Sequence, residues 1–222
     1  MAVLRIYAVS DIHSDQGRIE QVERRVKEFD PDVLALAGDI CGILHPRRVM
    51  ESLARMPVPI LMVRGNSDSK RVGALAQSWP NIRFIHLERS EIGQTPFVGV
   101  GGTVPVPFRS RIAFRESRII EKARRLMDAR CVLLVHPPPH GVLDKVLGRY
   151  SAGSRALSRL IVEKKPPLVI CGHIHEASGK ARLEDTWVVN CSFTGRSQGA
   201  VVDISEEGGV DIEMLECARP GG

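Results

Sequence analysis

The chain has no long hydrophobic run, no C-x-x-C pair, no internal repeat and few aromatics, with two Trp, two Tyr and six Phe in 222 residues. Without roughly 20 consecutive apolar residues, no segment reads as a membrane span. The N-terminal stretch Met1 to Val9 also lacks the apolar core and small-residue cleavage site of a secretory signal, so the expected location is cytoplasmic. Cys41, Cys131, Cys171, Cys191 and Cys217 are too scattered for a zinc ribbon. Four of them lie in or beside apolar runs, where cysteine behaves as a small hydrophobe rather than a disulfide partner. The scarcity of aromatics argues against a stacking platform for single-stranded nucleic acid.

What is present describes a globular chain: 43% hydrophobic and 26% charged residues exclude disorder, collagen and coiled coil. The net charge of +5 permits an anionic partner without requiring one. Residues 1–216 are expected to form one domain and 217–222 a disordered tail ending in Pro220-Gly221-Gly222.

Short apolar runs alternate with helical patterns. Ile19, Val22, Val26 and Phe29 recur at amphipathic helix spacing until Asp30-Pro31, and Val33 to Ala37 is then too short for anything but a buried strand. Val49, Leu53 and Met56 form a second helical face, Ile60 to Val63 a strand, and Val72, Leu75, Ala76 and Trp79 a third helix. Three successive βα units imply a largely parallel sheet covered by helices. Phe97 to Gly101 leads into a Pro-interrupted loop. Next comes a helix burying Ile119, Ile120, Ala123, Leu126 and Met127 under a solvated arginine face, and then the strand Cys131 to Val135. Ser154 is placed to cap a helix through Leu157, Leu160 and Ile161 that Lys164-Lys165 and Pro166-Pro167 end. From Leu168 onward, Gly-rich turns separate Thr186 to Val189, Ala200 to Ile204 and Val210 to Met214, which are antiparallel signals without an intervening helix.

Five apolar runs end, at their carboxyl ends, in residues able to bind metal. Ile6 to Val9 leads into Asp11-x-His13, Val33 to Ala37 into Gly38-Asp39, and Ile60 to Val63 into Gly65-Asn66-Ser67-Asp68. Cys131 to Val135 leads into His136, and Leu168 to Cys171 into Gly172-His173-Ile174-His175. Ligands of open α/β sheets bind outside the carboxyl ends of the strands, so these endings are predicted to converge on one crevice. A glycine precedes Asp39, Asn66 and His173, as expected where a chain turns sharply beside a ligand. Asp11/His13 and His173/His175 are i, i+2 pairs, which in extended backbone would project to the same side.

Two carboxylates, one amide oxygen and four imidazoles exceed one tetrahedral zinc and suit two divalent ions. Manganese is the first choice, with iron, cobalt, nickel or zinc as alternatives. Two such ions roughly 3.5 to 4 Å apart are a clamp for in-line displacement at phosphorus, so phosphate ester hydrolysis is the expected reaction.

In this order, Asp-x-His, Gly-Asp, Gly-Asn-x-Asp, a lone His and Gly-His-x-His resemble the calcineurin-like metallophosphoesterases over Asp11 to His175. His136-Pro-Pro-Pro and Gly-His-Ile-His-Glu are similar to a bacterial and archaeal branch of that superfamily. The resemblance implies a four-layer α/β/β/α sandwich with two mixed sheets and a binuclear site using a metal-bridging hydroxide. It assigns Asp11, His13 and His175 to one metal, Asn66, His136 and His173 to the other, and Asp39 as the bridge. Most members carry histidine in Gly-Asn-His-Asp/Glu as phosphate contact and acid, whereas this chain has Ser67 there. A serine hydroxyl cannot replace an imidazole as general acid. The departure resembles the branch with cysteine at that position, which tends toward diesters, and leaves Ser67 as a hydrogen-bond donor to phosphate.

A phosphodiesterase acting on a small or nucleotide-like substrate is therefore expected, with a non-catalytic scaffold of the same fold or a metal-dependent nuclease as alternatives. The sequence leaves homo-oligomerisation open. His140, four residues past His136, is a candidate substitute acid, and Asp68 either fixes the metal loop or caps the following helix. Asn190 reads as a buried turn amide, His45 and His86 as ordinary surface residues, and Arg64, Arg109 and Arg111 as candidate phosphate ligands. Gly195-Arg-Ser-Gln-Gly199 matches G-x-S-x-G but precedes a strand, which excludes a nucleophile elbow.

Overall fold

The computed structural model describes residues 2–42, 46–102 and 112–217, with side chains from Leu4 to Gly42, from Pro46 to Gly102 and from Glu116 to Cys217. His45, Arg109, Arg111 and Pro220-Gly221-Gly222 lie outside the described residues.

The N-terminal half runs β1 (Ala2–Val9), α1 (Gln16–Phe29), β2 (Val33–Leu36), α2 (Pro46–Ala54), β3 (Ile60–Met62), α3 (Val72–Ala76) and β4 (Ile82–Phe84). The chain continues through β5 (Arg89–Ile92), β6 (Thr95–Val100), α4 (Ile112–Leu126) and β7 (Val132–Val135). A small hairpin, β8 (Lys145–Val146) with β9 (Tyr150–Ser151), precedes α5 (Arg155–Lys164) and β10 (Leu168–Cys171). After a 3-10 turn at His175–Ala177 come β11 (Gly179–Leu183), β12 (Thr186–Asn190), β13 (Ser197–Ser205) and β14 (Val210–Glu216).

Two mixed six-stranded sheets result, ordered β14-β13-β1-β2-β3-β4 and β11-β12-β10-β7-β6-β5. Strand alternation sorts their side chains into three apolar layers. Leu4, Ile6, Ala8, Val33, Ala35 and Leu61 of the first sheet meet Phe97, Val132, Leu134, Leu168 and Ile170 of the second. The opposite face of the first sheet, with Tyr7, Val9, Leu34 and Leu36, packs under α1 and α2 through Ile19, Val22, Met50 and Leu53. The outer face of the second packs under α4 and α5 through Ile120, Ala123, Leu157 and Leu160. This is the expected α/β/β/α sandwich. Its central strands are buried on both faces, which explains their unbroken apolar runs, and each large side chain so buried contributes roughly 1.5–3 kcal/mol.

Local signals match closely. The Asp15 side chain caps α1 by accepting from Arg18 N, Asp30 ends it in a left-handed conformation, and the Ser154 hydroxyl caps α5. Two readings need correction, and several short strands carry no signal in the sequence. The third helix stops at Ala76, and Trp79 lies in the turn beyond it. Strands β4 and β5 and the β8–β9 hairpin carry no apolar run long enough to announce them. The last third is not wholly antiparallel, because β12 runs parallel to β10, with Leu168 opposite Trp187, while β11 pairs antiparallel at the edge. Turn residues mark where strands reverse but not which neighbour each strand takes.

Candidate metal centre

All seven expected ligands fall in loops at the carboxyl ends of parallel strands: β1, β2 and β3 of one sheet, β7 and β10 of the other. The loop after β1 is zipped to the loop after β2 by backbone bonds from Asp11 N to Gly38 O, His13 N to Asp39 O and Ser14 N to Ile40 O, each 2.9–3.0 Å. Within the second sheet Gly172 N donates to His136 O, and across the sheets His173 N donates to Asp11 Oδ2. These bonds hold Asp11, His13, Asp39 and His173 at positive φ, a conformation costing of order 1–3 kcal/mol each for residues with a side chain.

The i, i+2 pairs are thus not extended, and they behave differently from each other. Asp11, His13 and His175 place their ligand atoms within 4.8 Å of one another. His173 and His175 instead part company: the His175 ring stands against His13 at 5.6 Å between centroids, and the His173 ring against His136 at 4.9 Å. Asp11, Asp39 and His136 form a second group within 4.8 Å, so Asp11 belongs to both. Asp39 Oδ2 lies between the groups, 3.9 Å from His13 Nε2 and 3.6 Å from His136 Nε2. Asn66 Oδ1 is 3.0 Å from His136 Nε2.

This arrangement fits divalent cations. Asp11 is fully buried; its Oδ2 accepts from the Ser10 hydroxyl and His173 N, while Oδ1 has no hydrogen bond although His175 Nε2 is 3.2 Å away. A buried carboxylate oxygen left without a donor costs free energy that a cation removes. His136, also fully buried, has Nδ1 2.8 Å from Ala37 O, which places a proton on Nδ1 and leaves Nε2 facing Asn66 Oδ1 and Asp39 Oδ2. A ring nitrogen between two acceptor oxygens needs a positive charge there, either its own proton or a bound cation.

The electrostatics agree. Burial alone would raise the Asp11 pKa, but His175, the charge on His136, the Ser10 hydroxyl and His173 N hold it far below the usual range. Burial opposes Asp39 in the same way and is outweighed by His136 and by both donors of Ser67. Burial would lower His136, yet Asp39 and Asp11 raise it, and the nearby Asp11 carboxylate raises His175. His173 is lowered by burial and by neighbouring His136.

Asp68 braces the loop. Its buried carboxylate accepts from Asp39 N and Gly65 N through Oδ2 and from Cys41 N through Oδ1, so it ties the loop after β3 to that after β2 and caps no helix. Gly65 must be glycine here, since a Cβ would lie 2.1 Å from Asp39 Oδ1. A Cβ on Gly172 would likewise lie 2.0 Å from Ser10 Oγ and 2.7 Å from Asp11 Oδ2. Asn190 is the expected buried amide: its Nδ2 donates to Ile174 O, bracing the loop between the two histidines, and its Oδ1 accepts from Ser192.

His140 is drawn to its own loop, with Nδ1 3.5 Å from buried Asp144. His86 is not an ordinary surface residue: it is half-buried and its Nδ1 accepts from Gly101 N. The sequence pattern missed Ser10, the polar break at the end of β1, and Arg18, whose Nη1 donates to Asp11 O from the first turn of α1. No spacing rule pairs a helix residue with a loop carbonyl. The five cysteines are free, four of them buried.

Residues 4–205 match the model of the calcineurin-like phosphoesterase superfamily domain. The chain belongs to this superfamily, whose members are metal-dependent phosphoesterases. It is 28% identical over 200 residues to an uncharacterized protein of Methanocaldococcus jannaschii, covering 85% of this chain and 88% of that one. Similar folds include a dimetal phosphatase from Danio rerio (TM-score 0.61, 14% identity, 97% of this chain and 96% of that one). An archaeal phosphodiesterase is also similar (TM-score 0.56, 15% identity, 96% and 100%). Among the described residues no helix is long and apolar enough to cross a membrane.

Proposed function

We propose that this chain is a binuclear metal-dependent phosphodiesterase acting on small or nucleotide-like diesters. The observation that carries the reading is the buried Asp11 carboxylate, shared by two groups of ligands and holding one oxygen without a donor. Asp11, His13 and His175 would hold one cation, Asn66, His136 and His173 the other, with Asp39 between them. Divalent cations there supply Lewis acidity toward water and toward the charge that builds on phosphoryl oxygens.

The protein's own part is orientation. Ala37 O fixes the His136 tautomer, Asp68 holds the Asp39 and Asn66 loops together, and Ser67 anchors both oxygens of Asp39. Ser67 Oγ donates to Asp39 Oδ2 at 2.9 Å, so its hydroxyl is engaged with a ligand and offers no acid of useful pKa. A diester with a good leaving group suits such a site better than an alkyl monoester, and the likeness to an archaeal phosphodiesterase supports the same choice. His140, beside Asp144, is the remaining candidate for protonating a leaving group. The retained ligand set favours an enzyme over a scaffold.

Hydrolysis of bis-(p-nitrophenyl) phosphate with added Mn²⁺ tests the reading, wild type against Asp39→Asn. Metal-stimulated turnover in the wild type and its loss in the variant are expected; a folded wild type with no such turnover returns the chain to the scaffold class.

A further inference from the structure

Outside the metal ligands, Arg64 and His86 meet over a glycine pair. Arg64 leaves the end of β3 and His86 the end of β4, neighbouring parallel strands, while Gly101-Gly102 leaves β6 of the other sheet. Gly101 N donates to His86 Nδ1 at 2.9 Å, and Gly102 N donates to Arg64 O at 2.5 Å. A Cβ on Gly101 would fall 2.8 Å from Arg64 N and 3.3 Å from His86 Nδ1, so only glycine lets the three strand ends close. The guanidinium reaches over this floor, with Nη2 3.6 Å from where a Gly102 Cβ would stand.

The cluster adjoins the metal centre on two sides. Arg64 directly precedes Gly65-Asn66, and because Val100 pairs with Val135, Gly101 leaves its strand level with His136. With Nδ1 accepting from Gly101, His86 carries its proton on Nε2 and presents a donor. Burial and the nearby Arg64 charge push the ring toward its neutral form; Lys122 of α4 acts in the same direction and Glu88 is the opposing carboxylate. Among the described residues no carboxylate pairs with the Arg64 guanidinium. An unpaired guanidinium fork and an imidazole N–H beside a phosphoester site match the needs of a phosphate.

Resting on the phosphoesterase reading, we propose that Arg64 and His86 form an anion subsite selecting substrates that carry a second phosphate besides the one attacked. The substrate class narrows to phosphoesters of bisphosphorylated nucleosides or comparably doubly charged small molecules.

Binding to the Mn²⁺-loaded protein by titration calorimetry tests this, with thymidine 3′,5′-bisphosphate against thymidine 5′-monophosphate. The wild type is expected to favour the bisphosphate about tenfold or more, one charge-assisted contact being worth at least that. Arg64→Ala and His86→Phe should each reduce the preference to below about threefold, with Arg64→Lys between, since it keeps the charge and loses the fork. Only the Arg64 backbone makes hydrogen bonds in the floor, so Arg64→Ala keeps the test available if His86→Phe fails to fold. A wild-type ratio near one, or a ratio unchanged by Arg64→Ala, overturns the subsite. A preference that persists in a protein unable to hydrolyse bis-(p-nitrophenyl) phosphate overturns the phosphodiesterase reading and leaves the subsite standing.

Discussion

Ser67 donates to both oxygens of Asp39, from its amide to Oδ1 at 2.7 Å and from its hydroxyl to Oδ2 at 2.9 Å. A bond to a carboxylate is worth about 1.5–3 kcal/mol, so Ser67→Ala is expected to lower kcat/KM for bis-(p-nitrophenyl) phosphate roughly tenfold or more. Ser67→His should raise alkyl phosphomonoester hydrolysis relative to diester hydrolysis. Wild-type enzyme that cleaves alkyl monoesters faster than aryl diesters would contradict the role given to this residue.

Asp68→Ala removes the acceptor of three backbone N–H groups, those of Asp39, Cys41 and Gly65. Stranding buried donors costs about 1–3 kcal/mol each, so a loss of at least about 3 kcal/mol is expected in urea unfolding of the metal-free protein. A helix cap alone would cost about 1 kcal/mol, and a loss that small would mean Asp68 is not the brace described.

Divalent metal should stabilise the fold through Asp11. At a hundredfold excess over Kd, binding adds about 2.7 kcal/mol, which raises Tm by roughly 5–10 °C for a chain of this size. Mn²⁺ is expected to give such a shift in the wild type and little in Asp11→Asn. Equal shifts in both proteins would place the metal elsewhere.

Gly172→Ala would drive a methyl into Ser10 Oγ and Asp11 Oδ2. Since Ser10 and Asp11 are themselves fully buried, relief requires moving the carboxylate, at a cost of roughly 1–3 kcal/mol. Loss of the Mn²⁺-dependent Tm shift should accompany it; a variant with wild-type stability and metal response would show the contact to be soft.

Asp128 supplies a pH dependence remote from the candidate metal centre. Burial disfavours its charge, but Arg130 N, the Arg89 guanidinium and the Cys131 thiol prevail and bring its pKa down to about 2. An unfolded aspartate titrates near ~3.9, so this stabilisation is complete above that pH and is lost as pH falls through about 2. Asp128→Asn should flatten that part of the acid limb in Tm measured from pH 5 to pH 2. The group is 40% exposed, so the effect is screened and should shrink in high salt.

Local chemistry explains which parts were readable in advance. Ser154 caps its helix because a short polar side chain can reach only its own first turn. The buried strands from Val33 and Cys131 announced themselves because parallel strands covered on both faces need uninterrupted apolar residues. Strands β4 and β5, with one buried residue between them, carry no such signal and form only because β3 and β6 offer them edges.

By itself the sequence determined the inventory of candidate ligands and its place at strand ends, since a polar residue breaking an apolar run beside glycine has few other uses. How that inventory divides was implied only by resemblance to a family, and its physical reason lies in the tertiary structure. His173 and His175 sit two apart in sequence yet face different partners, because the turn between them is held by Asn190 from another strand. Tertiary structure decided that Ser67 anchors Asp39, that Asp68 joins two loops, and that Arg64 and His86 close over Gly101. Each of these depends on which strand ends lie side by side, and that follows from how the sheets pack rather than from spacing along the chain.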